Sequence, residues 1–222
     1  MSAQPDRHAR LSLAADSRRA TMDDARAIAR LFAAAFQTDP VMDWIARPGP
    51  KRAAGLERFF YWLLQVRAIP FGHVWMASDA SVAAAWLPPE APASPGGFFE
   101  QMKLLPMFWR LCGVPRFGRG RAMGAAMEKH HPHERHFYLA FIAVAPRFQG
   151  MGLGGTLLDT NLKQIDLTGL PAYLENSNPK NARLYERAGF VRQQNIAPAG
   201  APPLTAMWRD ALNAQGSSSL SQ

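Results

Sequence analysis

The residues best suited to chemistry lie in the glycine-rich segment 149–155, which reads Gln-Gly-Met-Gly-Leu-Gly-Gly. Its four glycines follow an apolar run and precede an amphipathic run that predicts a helix. Glycines allow a backbone to approach a ligand closely and to turn several N–H groups in one direction. Because a helix N-terminus adds partial positive charge, the segment predicts a cradle for a phosphate or pyrophosphate group.

The same glycines also fit a dinucleotide-binding fingerprint. Gly150, Gly152 and Gly155 match G-x-G-x-x-G, and Glu175 follows Gly155 by 20 residues. However, the fingerprint glycines should follow the strand directly, whereas Ala145 to Gln149 intervene before Gly150, and only 47 residues follow Glu175, too few to complete a doubly wound sheet. A Walker loop is excluded because no Gly-Lys-Ser/Thr occurs. The pattern therefore favours another phosphate-containing ligand.

Histidines cluster within residues 130–136, and His133-Glu134-Arg135-His136 is one residue short of the H-E-x-x-H zinc motif. Pro132 interrupts any helix that would align these side chains. We therefore expect a polar loop and no metal. The single cysteine, Cys112, excludes an internal disulfide and cysteine zinc clusters, and its apolar surroundings predict a small buried residue.

Alternating helices and strands must position the glycine segment. The run from Phe137 to Ala145 is uninterruptedly apolar, which is typical of a strand buried on both faces. Periodicity and breakers predict helices over 22–37, 51–68, 153–167 and 179–188, with one or two more within 96–131. Strands are predicted over 72–78, 81–87, 136–145, 171–175, 190–195 and 204–208. This order predicts an α/β or α+β sandwich around one sheet.

The chain is long enough for one domain of generous size. We expect a single domain over 17–212, in which 96–131 is a helical insertion. Residues 1–16 and 213–222 are polar and offer little to bury, so both are expected to be flexible tails. No internal repeat occurs.

The glycine segment and its surroundings resemble the GCN5-related N-acetyltransferase (GNAT) superfamily. The acyl-CoA-binding motif of that family, Arg/Gln-x-x-Gly-x-Gly/Ala after Val-x-Pro, is similar to Arg147-Phe-Gln-Gly-Met-Gly152 after Val144-Ala-Pro146. The segment from Tyr173 to Phe190, with its Tyr-Glu-x-x-Gly-Phe ending, resembles the puromycin N-acetyltransferase-like branch. The resemblance is specific over 136–195, looser over 17–90 and 202–209, and absent from 96–131.

The resemblance implies a GNAT fold. This is a single mixed, mostly antiparallel sheet flanked by helices, here with the helical insertion before the central CoA-binding strand. It implies acetyl-CoA as cosubstrate, with the pyrophosphate on the loop amides and the pantetheine arm paired to an opened strand edge. An amide of that strand would polarise the thioester carbonyl. The implied cofactor-binding residues are Ile142, Ala143, Val144, Arg147, Gln149, Gly150, Met151, Gly152, Leu153, Gly154, Gly155, Asn181 and Tyr185.

The resemblance also implies catalytic roles. Tyr185 would be the general acid that protonates the departing thiolate of CoA. An attacking ammonium must first lose a proton, and strand 136–145 carries no carboxylate to take it. Glu175 is our first choice as base, although it fits equally well a carboxylate that braces the loop at 176–181. The other candidates are Asp39, Asp43, Glu134, a histidine of 130–136 (His130, His131 or His133), and a chain of waters.

Composition limits the function classes. The hydrophobic share of 48% excludes a disordered chain, and no apolar run is long enough for a membrane span. The N-terminus lacks the apolar core of a secretory signal, so we expect a cytoplasmic protein without a membrane partner. The 25 Lys and Arg against 17 Asp and Glu give a net charge of +8, which suits an anionic cofactor. No nucleic-acid-binding motif accompanies that charge, and we expect no nucleic-acid partner.

We therefore predict an enzyme that transfers an acetyl group from acetyl-CoA to a primary amine of a small molecule by direct attack on the thioester. One alternative is a catalytically inactive CoA-binding or regulatory module, and a second is a basic nucleic-acid-binding domain. The aromatic residues of 96–131 are expected to contribute to an apolar acceptor pocket. The sequence does not identify the acceptor or the oligomeric state.

Overall fold

The computed structural model of the 222-residue chain describes residues 7–91 and 98–212. Their helices are α1 (Arg7–Ala15), α2 (Ala25–Ala35), α3 (Pro40–Ile45), α4 (Arg52–Leu63), α5 (Phe98–Cys112), α6 (Phe117–His130), α7 (Leu153–Asp166) and α8 (Ala182–Arg187). Their strands are β1 (Arg18–Arg19), β2 (Val74–Met76), β3 (Val82–Leu87), β4 (Phe137–Val144), β5 (Ala172–Asn176), β6 (Val191–Ile196) and β7 (Leu204–Arg209). Across these two ranges, the helices are all too short or too polar to cross a membrane.

The strands form one seven-stranded sheet in the order β1-β2-β3-β4-β5-β7-β6. The pairing of β4 with β5 is parallel, and the other neighbouring strands pair antiparallel. The strands predicted over 72–78 and 81–87 are present and pair as a hairpin, β2 and β3, and Ala80 adopts a positive φ of 53° in its turn. The structure therefore confirms a mixed, mostly antiparallel sheet flanked by helices.

Two apolar cores lie on opposite faces of the sheet. Alternation along β5 sends Tyr173 to one face and Leu174 to the other. The Tyr173 face packs against α2 and α4, through residues such as Phe32 and Phe60. The Leu174 face packs against α7, whose Asn161 accepts a buried hydrogen bond of 3.0 Å from the indole of Trp86. The sheet thereby carries α7, and the glycine loop before it, in a fixed position.

Helices α5 and α6 connect β3 to β4 and occupy the segment predicted as a helical insertion. They pack against each other, and α5 also packs against α4. The approach of α4 and α5 is close, because a Cβ on Gly55 would lie 3.2 Å from the carbonyl oxygen of Arg110. Cys112 is 1% exposed, which confirms the expectation of a small buried residue.

The N-terminus differs from the sequence expectation. Residues 7–15 were expected in a flexible tail, but they form α1, which packs against α7. Its buried face includes Ala14, which has no exposed surface, and Leu11, which packs against the α7 core. Because that face is buried by a helix far away in sequence, the local composition of residues 1–16 gave little sign of it. Residues 1–6 and the predicted tail 213–222 lie outside the described residues.

Candidate active site

A cleft opens where the parallel strands β4 and β5 separate. Their pairing runs from Phe137 with Ala172 to Leu139 with Leu174 and then stops, although β4 continues to Val144. The other edge of β4 stays paired with β3 as far as Val144. On the β5 side, residues 142–144 therefore present an unpaired strand edge to the cleft. Such an edge can accept an extended ligand as an additional strand.

The glycine loop lies at the end of this edge. Gly150 and Gly152 have φ values of +80° and +97°, which glycine adopts without strain. Helix α7 begins after Gly152, and the amide of Thr156 donates to the Gly152 carbonyl at 3.1 Å. The N–H groups before Thr156 have no acceptor within the helix, so they are available to a ligand. The loop lines the cleft, and these N–H groups at the α7 N-terminus can donate to an anion.

The two glycines of the first turn of α7 are closely packed. A Cβ on Gly154 would lie 3.4 Å from Val144, and one on Gly155 would lie 3.4 Å from Leu184. Larger side chains would push α7 away from β4 and α8. Gln149 and both of these glycines line the cleft.

Basic residues surround the loop. The guanidinium of Arg7, in α1, donates a 3.0 Å hydrogen bond to the carbonyl of Met151. The guanidinium groups of Arg10 and Arg147 lie 3.9 Å and 4.6 Å from the centre of the Phe148 ring. Because Arg10 also forms an ion pair with Asp79, Arg7 and Arg147 are the residues that add positive charge near the loop. Leu153, by contrast, is buried in the core beneath the loop, so only its backbone can take part in binding.

Tyr185 lines the same cleft as the glycine loop. It lies on α8, is 6% exposed, and lines the cleft together with Asn181. Burial raises the pKa of the Tyr185 phenol well above its ordinary value, and the negative charge of Asp39 raises it further. The phenol therefore stays protonated at physiological pH, as a general acid must before it acts.

Asp39 lies in the wall of the cleft, but its carboxylate already has partners. It caps α3, accepting hydrogen bonds from the amides of Val41 at 3.0 Å and Met42 at 2.9 Å. The hydroxyl of Ser177, just after β5, donates to its other oxygen. The carboxylate therefore joins α3 to the end of β5. Asp39 also acts electrostatically on Tyr185.

Glu175 points from β5 into a group of aromatic side chains. Its carboxylate accepts hydrogen bonds from the hydroxyls of Tyr138 at 2.6 Å and Tyr173 at 3.1 Å. Burial, followed by the adjacent Glu175, raises the pKa of both tyrosines well above the ordinary value. The Nδ1 atom of His131 lies 4.0 Å from Glu175 Oε1. The partners of Glu175 are thus strand tyrosines, and Glu175 itself lines the cleft.

The cleft has a volume of about 860 Å³ and an apolar side. Side chains of the insertion reach this side from α5 and α6. The apolar lining residues comprise Phe36, Met42, Ile45, Phe59, Phe108, Leu111, Met123, Met127 and Phe141. The apolar side chains and the glycine loop therefore line the same cleft.

The remaining candidates for the base lie elsewhere. Asp43 has a side chain that is 73% exposed and pairs with Arg52 at 3.0 Å. Glu134 and His133 are exposed, and Nδ1 of His130 contacts the carbonyl oxygen of Ala126 at 2.7 Å. Within residues 7–91 and 98–212, no group of three or more His, Cys, Asp or Glu side chains is arranged to hold a metal ion.

Several residues of the site were not found from the sequence. Tyr138 and Tyr173 come together because they are register partners in the parallel pair, which no local pattern reveals. Ser177 contacts Asp39 across 138 positions of sequence, and Arg7 contacts Met151 across 144. The one available signal was alternation, which places Tyr173 and Glu175 on the same face of β5.

Residues 85–190 match the family model of the acetyltransferase (GNAT) family. This segment is just under half of the chain and contains β4, the glycine loop, α7, β5 and α8. An uncharacterized N-acetyltransferase of Schizosaccharomyces pombe is 40% identical over 60 residues, which are 27% of this chain and 24% of that protein. The chain therefore spans about a quarter of the length of this curated relative.

Solved GNAT structures share the fold. A histone acetyltransferase HPA2 and related acetyltransferase from Corynebacterium glutamicum superposes with a TM-score of 0.65 at 23% identity, over 90% of this chain and 98% of that chain. Arylalkylamine N-acetyltransferase 2 from Aedes aegypti superposes with a TM-score of 0.57 at 12% identity, over 88% and 98%. These two structures show that the fold is shared, and the match of residues 85–190 to the family model supports the GNAT superfamily.

Proposed function

We propose that this chain is an N-acetyltransferase that moves an acetyl group from acetyl-CoA to a primary amine of a small molecule. One observation carries the proposal: the unpaired edge of β4, the glycine loop and the buried phenol of Tyr185 border the same cleft. Each matches one requirement of acyl transfer from a CoA thioester. They are respectively a place for an extended arm, a place for a pyrophosphate, and an acid for the leaving thiolate.

The residues present fit acetyl-CoA, which supplies an activated acetyl thioester when bound. The amides of residues 149–155 would hold its pyrophosphate, with Arg147 adding positive charge at the surface. The backbone of residues 142–144 would pair with its pantetheine arm, and Asn181 would contact it from the α8 side. An amide of that edge would donate to the carbonyl oxygen as negative charge develops there.

Tyr185 and Glu175 would move the protons. Glu175 takes a proton from the substrate ammonium, which frees the nitrogen lone pair for direct attack on the thioester carbon. Tyr185 then donates its phenolic proton to the departing sulfur as the C–S bond breaks, and the second proton lost by the attacking nitrogen returns to the phenolate. The two residues lie on neighbouring elements, β5 and α8, and both line the cleft.

The apolar side of the cleft favours an amine with an apolar substituent. Phenylalanine and methionine side chains from α4, α5, α6 and β4 would bury that substituent, at about 25 cal/mol for each Å² removed from water. The Aedes aegypti protein of the same fold is, by its name, an arylalkylamine N-acetyltransferase. We therefore place small arylalkylamines and alkylamines before polyamines as acceptors.

The family branch, the cellular location and the absence of other partners are predictions from the sequence alone. The puromycin N-acetyltransferase-like branch stays a prediction from the segment between Tyr173 and Phe190. A cytoplasmic location and the lack of a metal, a nucleic-acid partner and a membrane partner also stay predictions. The comparisons do not favour the inactive CoA-binding module or the nucleic-acid-binding domain.

A charge placed in the loop tests the CoA site. Gly150→Glu puts a carboxylate where the pyrophosphate would bind, and we expect it to weaken CoA binding at least tenfold in calorimetric titration. Gly169→Glu is the matched control, because Gly169 also has a positive φ (+67° against +80°) and open space around its Cβ position. Equal CoA affinity in the Gly150 variant and the wild type would contradict the proposed cradle.

An amine screen tests the activity itself. The wild-type protein is incubated with acetyl-CoA and a panel of arylalkylamines, alkylamines, polyamines and amino acids, and thiol release is followed. We expect arylalkylamines and alkylamines to give the highest kcat/KM, and mass spectrometry to show an acetylated amine. CoA binding without acetylation of any amine would support the inactive module instead.

A further inference from the structure

A half-buried histidine, His131, lies next to the proposed base Glu175. The Glu175 side chain is 1% exposed, whereas that of His131, 4.0 Å away at Nδ1, is 29% exposed. His131 follows α6 directly and caps its C-terminal end. Glu175 lines the cleft, and His131 connects that buried carboxylate to the protein surface. A proton accepted by Glu175 therefore has an ionisable group between it and bulk water.

The ring of His131 is held by its neighbours. Its centroid lies 5.2 Å from those of Tyr138 and Tyr173, with both pairs edge to face, and 4.9 Å from that of His136. The same two tyrosines donate to Glu175. One pair of side chains thus fixes both the carboxylate and the imidazole.

The other groups around Glu175 are poor proton acceptors. Tyr138 and Tyr173 keep their own protons, because burial and the carboxylate raise their pKa. His136 packs against Trp208, and its Nδ1 lies 2.6 Å from the carbonyl oxygen of Glu134. Burial lowers the pKa of His136, which disfavours its protonated form. His131 is the remaining imidazole beside the carboxylate.

The charged groups farther from His131 are not suited to accept a proton from Glu175. Arg67 acts electrostatically on Tyr138, and Glu134 acts on His136. An arginine stays protonated at physiological pH and so cannot accept a proton. Glu134 is exposed and contacts the ring of His136 through its backbone carbonyl.

We propose that His131 is a positioning residue that passes the substrate proton from Glu175 to solvent, which rests on the proposed function. The ammonium N–H bond breaks and its proton goes to a Glu175 oxygen. Glu175 gives that proton to Nδ1 of His131 across the 4.0 Å gap, directly after a small side-chain shift or through one water. The imidazolium releases a proton to water, and both side chains return to their starting states. No oxidant or further reactant is needed.

Replacement of the imidazole tests the relay. For His131→Asn we expect kcat to fall about tenfold near neutral pH, less than the hundredfold or more that removal of a direct base costs. The KM for acetyl-CoA should stay unchanged, and free imidazole in the buffer should restore part of kcat. His133→Asn, an exposed change in the same loop, is the control and should leave kcat and the pH profile unaltered.

The outcome separates a relay from a packing role. Rescue of kcat by imidazole, together with a changed pH profile of kcat, would support proton transfer through His131. A wild-type kcat and pH profile in His131→Asn would overturn it. So would a loss of kcat with a lowered melting temperature and no imidazole rescue, since lost packing explains that result.

A second measurement is independent of catalysis. In NMR spectra, the His131 imidazole signal is assigned by its absence from His131→Asn and is followed as pH varies. We expect Glu175→Gln to change the chemical shift of this signal and Glu57→Gln, which alters a partly exposed carboxylate paired with Arg30 on α2, to leave it unchanged. No effect of Glu175→Gln would overturn the pairing even if the enzyme is active. A clear effect in a protein that acetylates no amine would support the pairing while the proposed function fails.

Discussion

Tyr185, on α8, is buried and also lines the cleft. Burial is the main reason that its pKa is raised, and the charge of Asp39 adds to it. Asp39 is itself held in place, because it caps α3 and accepts from Ser177. The raised pKa of Tyr185 therefore depends on its burial on α8 and on Asp39, which is held by α3 and by the residue after β5.

Removing the phenolic hydroxyl isolates this role. We expect Tyr185→Phe to lower kcat about a hundredfold, because the thiolate must then leave without an acid, while the KM for acetyl-CoA changes little. Steady-state rates of thiol release measure both constants. The control is Tyr61→Phe, which removes the hydroxyl of a half-buried tyrosine on α4. An unchanged kcat in Tyr185→Phe would show that the acid is another group.

At the scale of elements, β1 and the start of α2 are joined by charge. The Asp24 carboxylate accepts two hydrogen bonds from Arg18, at 2.6 and 2.7 Å, and one of 2.8 Å from the amide of Thr21. The hydrogen bonding to Arg18 is the main cause that holds the pKa of Asp24 well below its ordinary value. Thr21 and Asp24 thus form a capping box, and Arg18 reinforces it through the Asp24 carboxylate.

This pair predicts a pH-dependent contribution to stability. The folded pKa of Asp24 lies below the unfolded value of about 3.9, so its stabilisation is present above that pH and is lost as the pH falls. Since half of Arg18 is exposed, we expect Asp24→Asn to cost no more than about 1 kcal/mol at pH 7. The difference from wild type should shrink below about pH 4.

Urea unfolding at a series of pH values measures this difference. Asp23→Asn is the matched control, because it removes a neighbouring exposed carboxylate. A destabilisation by Asp24→Asn that stays constant down to strongly acidic pH would contradict the ion-pair account. It would point instead to the neutral part of the capping interaction.

At the scale of the whole molecule, the net charge of +8 acts on an anionic cosubstrate. A positive field raises the local concentration of a negatively charged ligand, and salt screens that field. We therefore expect kcat/KM for acetyl-CoA to fall severalfold from low to physiological ionic strength, with kcat at saturating acetyl-CoA nearly constant. An uncharged osmolyte at equal osmolality is the control, and a salt-independent kcat/KM would contradict the field effect.

The sequence predicted what local patterns encode. The glycine loop, β4, α7, β5 and the β2–β3 hairpin each have their own periodicity and turn residues, and all five are present. Contacts that depend on strand register were not predictable, so the tyrosines around Glu175 were missed. Helix α1 was missed because its apolar face is buried against α7, which is distant in sequence. The contact of Arg7 with the glycine loop is equally distant in sequence.

Cys112 makes the chemistry unusually easy to observe. It is the single cysteine of the chain, it is 1% exposed, and burial raises its pKa to about 11. Since the thiolate is the reactive form, this thiol reacts very slowly with thiol-specific dyes in the folded protein. Every equivalent of dye consumed in a continuous assay therefore reports product CoA, and the protein needs no alkylation or cysteine replacement before its turnover is counted.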